Sequence, residues 1–231
     1  MKILEENIFA TSRDRNSKGR EDYIFNRNEK YLEGDLMSYG YDYFDNKDNG
    51  YAYSGYIYDG RFDITAKRIC QKFNLKSKNI LLEIGCAKGF LLKSFSNQGL
   101  HTYGMDYSPY AVKNCHPDLK DKIIVGDCAK KDNYPKIKPD FIICKETLPH
   151  LLKKDIKKTI KNMNNIVSNP LNILLQIQYV IENSEIEKIM SFDPTHKTIQ
   201  TKEEWIKDLY DSNYNGYVHF KRLFSNESEF I

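Results

Sequence analysis

The chain has 231 residues, enough for one domain with an appendage and for a core that needs no disulfide or metal staple. Hydrophobic residues make up 40% and charged residues 29%, which fits a globular protein and excludes global disorder. Lys and Arg number 35 against 32 Asp and Glu, a balance too even for a general nucleic-acid binder.

In chain order, Met1-Lys2-Ile3-Leu4-Glu5-Glu6 breaks its apolar run with acids at once and does not read as a secretory signal. Arg13, Arg15, Lys18 and Arg20 then cluster in a polar leader. Nine of the 17 tyrosines (Tyr23, Tyr31, Tyr39, Tyr41, Tyr43, Tyr51, Tyr53, Tyr56 and Tyr58) fall in the first 60 residues, among glycines and few aliphatics. Such a stretch cannot build its own core. Rigid rings with polar tips suit a lid over a small-molecule site, and residues 39–62 are assigned to one, within an N-terminal appendage of residues 1–61.

From Phe62 onward the pattern is regular, and residues 62–231 are expected to form the main domain. Phe62, Ala66, Ile69, Cys70 and Phe73 recur at helical steps. Residues 80–84 read as a buried strand that ends at Gly85, and residues 89–97 as a helix. A second strand is expected at 102–106. Ser108-Pro109 starts the next helix with a capping hydroxyl and a first-turn proline. Strands follow at 122–126 and 141–144, a lysine-rich amphipathic helix at 152–165, and a further strand at 172–181. Thr201 and Glu204 form a capping box for another helix, and 217–220 is a last strand. Short apolar strands alternating with helices predict an α/β fold, a doubly wound, mostly parallel sheet covered on both faces.

No run of 18 apolar residues occurs, so no membrane span is expected. Cys70, Cys86, Cys115, Cys128 and Cys144 are odd in number and include no C-x-x-C pair. Reduced thiols in a cytoplasmic protein are expected, without a disulfide scaffold or bound metal.

The chemistry-bearing stretch is Leu81-Leu82-Glu83-Ile84-Gly85-Cys86-Ala87-Lys88-Gly89-Phe90, a buried strand leading through a glycine turn into a helix. Ligands of doubly wound sheets bind at such strand ends, where free helix N–H groups also lie. A dinucleotide fingerprint would need glycines where Ala87 and Phe90 stand, so a nucleotide oxidoreductase fits poorly. The E-x-G-x-x-x-G pattern resembles the first motif of class I, Rossmann-like methyltransferases that use S-adenosylmethionine. Ala87 stands where many of them carry a further glycine. Asp106 follows Glu83 by 23 residues, Asp127-Cys128 follows the third of the strands from residue 80, and Lys145-Glu146 follows the fourth.

The resemblance covers residues 62–180 and implies roles by position. Gly85, Cys86 and Gly89 line the methionine end of S-adenosylmethionine, Glu83 orients its ammonium, and Asp106 with Tyr107 beside it holds the ribose. Asp127 and Cys128 face the adenine, and the Lys145 backbone lies near the methionine amino group. The string Gly55-Tyr56-Ile57-Tyr58-Asp59-Gly60-Arg61 resembles a segment preceding the cofactor domain in some bacterial methyltransferases. There, Tyr56 would lie near the sulfonium and Arg61 near the carboxylate.

A hydroxyl acceptor wants a base within reach. His196 and His150 both follow strands on the carboxyl side of the sheet, and Glu146 is a third candidate; His196, with Asp193 three residues earlier, is preferred. Asp193 would orient His196 or cap a turn, and Gln176 and Gln178 are further polar groups for a hydroxylated substrate. The five lysines of the helix at 152–165 read as a solvated face, so neither a nucleic acid nor a membrane is an expected partner; the oligomeric state is open. The pattern looks most like bacterial methyltransferases of small molecules and surface glycans. That resemblance implies methylation of a sugar or sugar-nucleotide hydroxyl in polysaccharide biosynthesis. The alternatives are a phosphate-type oxygen, an amine nitrogen, or a protein that holds the cofactor without turnover.

Overall fold

The structure, a computed structural model, describes residues 1–9, 34–48 and 50–222. The basic cluster Arg13, Arg15, Lys18 and Arg20, with Tyr23 and Tyr31, lies outside them.

The described elements are β1 (Lys2–Leu4), α1 (Tyr41–Phe44), α2 (Asp63–Lys72), β2 (Ile80–Ile84), α3 (Phe90–Asn97), β3 (His101–Asp106), α4 (Pro109–Lys113), β4 (Ile123–Val125), β5 (Phe141–Lys145), α5 (Lys153–Ile166), β6 (Ile173–Tyr179), α6 (Glu185–Phe192), α7 (Lys202–Asp211) and β7 (Tyr217–Arg222). One seven-stranded sheet runs in the order β1-β7-β6-β5-β2-β3-β4. Every pairing in it is parallel. β2 lies inside the sheet between β3 and β5, so the winding direction reverses beside the glycine turn.

The local signals act as the residues require. Ser108 accepts the Ala111 N–H at 2.9 Å and caps α4, with Pro109 at its first position. Thr201 and Glu204 make both bonds of the capping box that starts α7. Alternation along the strands splits the core in two. Leu81, Ile143 and Leu174 face α2 and α3 through Ala66, Ile69, Leu91 and Phe95. Leu82, Ile84, Ile142, Cys144 and Leu175 face α5 and α7 through Ile156, Ile160, Trp205 and Leu209. The lysines of α5 lie on its exposed side. All five cysteines are free thiols. Among the described residues no helix is long and apolar enough to cross a membrane.

The expected parallel sheet is present, with every pairing parallel. Two features differ from the sequence expectation. Lys2–Leu4 adds a strand to the main sheet, pairing Lys2 with Tyr217 and Leu4 with His219. The stretch after β6 holds the helix α6.

Candidate active site

The turn after β2 is held by backbone geometry. Gly85, Ala87 and Gly89 all take positive φ, 71°, 49° and 75°. Ala87 therefore adopts a conformation that favours glycine, strain of the kind that collects at functional sites. A Cβ on Gly85 would run into the Thr147 side chain, and one on Gly89 into Ile123 and Leu119. Asp106, at the end of β3, ties the turn down. Its Oδ2 accepts the Ala87 N–H at 2.7 Å and its Oδ1 the Ser108 N–H at 2.8 Å. Burial raises its pKa, and these two N–H groups oppose the shift.

Glu83 lies beneath this turn, 4% exposed, and its Oε2 has no hydrogen-bond partner. Burial pushes its pKa up to about 8 against the pull of Lys145, with Asp106 adding to the rise. Burial, then Asp106 and Glu83, also holds the Cys86 thiol well above its usual range, so it is protonated and inert.

The tyrosine segment packs onto the same edge. The buried Lys88 ammonium, inside the glycine turn, donates to Asp45 at 2.6 Å and to the Tyr56 carbonyl at 3.1 Å. The Tyr110 hydroxyl donates to the same Asp45 carboxylate at 2.7 Å. Tyr56 is buried with its ring 4.5 Å from Phe90 and 4.2 Å from Tyr53. Burial first, then Tyr53 and Glu83, raises its phenol pKa. Arg61 is buried and gripped by Asp59 through two 2.7 Å bonds. Tyr39 accepts the Ser108 hydroxyl on its carbonyl at 2.5 Å, and its ring meets Tyr107 edge-on at 6.1 Å.

Beyond the turn lies a cluster drawn from distant loops. His150 and His196 stack with ring centroids 4.4 Å apart. His196 Nδ1 donates to the backbone carbonyl of Asp193 at 2.9 Å and stands 4.0 Å from its carboxylate. Asp193 thus holds His196 by its backbone carbonyl, while its carboxylate caps the turn, so both roles that the sequence left open are filled. That carboxylate accepts from the Thr195 hydroxyl at 2.5 Å, the Thr195 N–H at 3.0 Å and the Tyr43 hydroxyl at 2.9 Å. Burial chiefly, with His196 adding to it, lowers the His150 pKa to about 4, against the opposite pull of Asp193, Thr195 and Glu146.

Glu146 is placed differently. It sits at positive φ, 54°, with Lys145 and Lys221 each donating to it at 2.7 Å and Gln178 at 3.1 Å. The two ammonium groups outweigh burial and hold its carboxyl well below the usual range, which suits an anchor for the lysines better than a proton acceptor. Gln176 bonds His219. Asp127 caps its own turn by accepting the Ala129 N–H at 2.9 Å. The Cys128 thiol points into the core, 3.6 Å from the Thr159 hydroxyl of α5.

Thr195, Tyr43, Lys88 and Asp45 were not singled out from the sequence. The one available signal for Thr195 was the Asp193-Pro194-Thr195 turn, where an Asp carboxylate commonly bonds two residues on.

A family model described as a methyltransferase domain matches residues 61–219. No curated protein gives a significant match. The fold is similar to that of the YcgJ protein from Bacillus subtilis, at 16% identity and a TM-score of 0.52, over 64% of this chain and 66% of that one. The alignment thus spans just under two thirds of the YcgJ chain. It is also similar to a SAM-dependent methyltransferase from Archaeoglobus fulgidus, at 17% identity and a TM-score of 0.53, over 66% of this chain and 68% of that one. The family match runs from Arg61 to His219, within β7, and takes in the strand-end residues just described, so this chain belongs to the methyltransferase domain family.

Proposed function

We propose that the chain transfers a methyl group from S-adenosylmethionine to a hydroxyl of a small molecule. The orphaned Glu83 oxygen carries the first half of this reading. A buried carboxylate that lacks a partner wants a cation, and the donor's ammonium is one. Asp106, fixed at the end of β3, has two acceptor oxygens for ribose hydroxyls. Gly85 and Gly89 let the turn close tightly on Thr147, Ile123 and Leu119. When bound, the donor supplies an electrophilic methyl group, whose bond pair returns to sulfur as the new carbon–oxygen bond forms. Tyr56 and Arg61 close the site from the tyrosine segment, which acts as a lid.

The stacked histidines carry the second half. Each ring engages a neighbour through Nδ1, His150 with Thr195 and His196 with the Asp193 carbonyl, so in this reading Nε2 supplies the lone pair that an alcohol proton needs. A sugar or sugar nucleotide of surface-polysaccharide synthesis is the narrowest acceptor class this reading names. Calorimetry with S-adenosylmethionine tests the donor. Release of S-adenosylhomocysteine with pools of sugars, nucleotide sugars, phosphate-bearing metabolites and amines tests the acceptor. No donor binding refutes the reading, and turnover confined to amines moves the chemistry to nitrogen.

A further inference from the structure

Two histidines share the site, and their hydrogen bonds tell them apart. The Thr195 hydroxyl has one proton, which it gives to Asp193 Oδ1 at 2.5 Å. The 2.9 Å contact between Thr195 Oγ1 and His150 Nδ1 is therefore donated by the imidazole. This fixes the Nδ1–H tautomer of His150 and leaves a bare lone pair on its Nε2. A positive charge arriving on that ring is answered through Thr195 by the Asp193 carboxylate. His196 ends instead on a backbone carbonyl, and is 8% exposed. His150 is half-buried, on the turn after β5. That turn begins at Thr147, whose hydroxyl bonds the Ile84 carbonyl at 3.1 Å above the glycine turn. Tyr43 reaches from the tyrosine segment to the other Asp193 oxygen.

We propose that Asp193, Thr195 and His150 form a hydrogen-bonded relay in which His150, not His196, is the catalytic base, and Asp193 and Thr195 are positioning residues. This rests on the methyl-transfer reading. The acceptor hydroxyl's proton passes to His150 Nε2 as its oxygen bonds to the methyl carbon, and solvent takes that proton afterwards. The stacked rings repel each other when charged, so the pair takes up one proton in this step. The groups facing His150 are His196, Asp193, Thr195 and Glu146, with Tyr39 and Tyr43 edge-on at 6.0 and 6.5 Å.

Long-range ¹H–¹⁵N NMR of the full chain, with His150→Gln for assignment, reads the tautomer and titration of His150 with neither donor nor acceptor present. The expected result at neutral pH is Nδ1–H with an unprotonated Nε2. Thr195→Val should lose that preference while Thr195→Ser keeps it, and both should bind S-adenosylmethionine with unchanged affinity. With an acceptor in hand, Thr195→Val should lower kcat more than it changes KM. An Nε2–H tautomer in the unaltered chain overturns the relay, and this reading stands even where the Val variant does not fold. An unchanged tautomer in a folded Thr195→Val also overturns it. Stoichiometric zinc that shifts both Nδ1 resonances would make the cluster a metal centre and likewise remove the relay. Calorimetric binding of S-adenosylmethionine reports on the methyl-transfer reading alone, so the two fail separately.

Discussion

Glu83→Gln should make the ligand-free protein less sensitive to alkaline pH while weakening its hold on S-adenosylmethionine. The carboxyl is 4% exposed, and its pKa is about 8, against about 4.5 for an unburied glutamate. The unfolded chain thus releases this proton well before the folded one does. Stability is full below about pH 4.5 and declines as pH rises through about 8. The carboxyl costs about 3 kcal/mol at pH 7, and about 2 kcal/mol of that slope falls between pH 6 and pH 8. Glutamine keeps the shape and cannot ionise. Its amide adds a donor that needs a partner, so the absolute gain is smaller than the carboxyl's cost. The decisive quantity is the difference between the two proteins' pH slopes, read from urea unfolding at pH 6 and pH 8. Calorimetry should show donor affinity lower by about 1.5–3 kcal/mol, the range for a hydrogen bond to a charged group. Equal slopes in the two proteins would refute the burial argument. Equal affinity would refute the ammonium assignment.

Asp106→Ala should weaken S-adenosylmethionine binding by about 1.5–3 kcal/mol in calorimetry; unchanged affinity would remove it from the ribose. Asp45→Asn leaves the buried Lys88 ammonium without its counter-charge, a loss of about 3 kcal/mol or more. Hydrogen exchange should then quicken across the tyrosine segment and little elsewhere. His150 and His219, each with a pKa lowered to about 4 mainly by burial, are neutral when folded and take up protons on unfolding. Stability should therefore fall as pH drops from about 6.5 to about 4, by at most about 3 kcal/mol for each. Urea midpoints across that range check this, and a flat profile would refute it.

Local signals were legible wherever the chain repeats a short-range rule. The run from Leu81 to Gly89 carries its strand, turn and helix start in consecutive residues, and Thr201 with Glu204 announces its own helix. The edge strand Lys2–Leu4 was not legible, because three residues give no alternation to read. The helix Glu185–Phe192 spans only eight residues and has no side-chain cap, so neither end is marked. Both histidines were found by residue type, but their ranking turns on Thr195, which bonds a residue 45 positions away. No local pattern encodes such a contact. The Lys88–Asp45 pair was missed for the same reason, since the two residues stand 43 positions apart.

The parallel pairing of Lys2–Leu4 with Tyr217–Arg222 joins segments more than two hundred residues apart in the chain. The entropy of closing so long a loop grows only logarithmically, yet contacts of this separation slow folding. The rest of the sheet is built from neighbouring βα units, so this strand is expected to add late, after Tyr217–Arg222 has docked on Ile173–Tyr179. Until then Tyr217, Val218 and His219 present an open edge of unpaired N–H and C=O groups, a template on which a second nascent chain can pair. Refolding yield should therefore depend on protein concentration, even for a protein that stays in solution once folded.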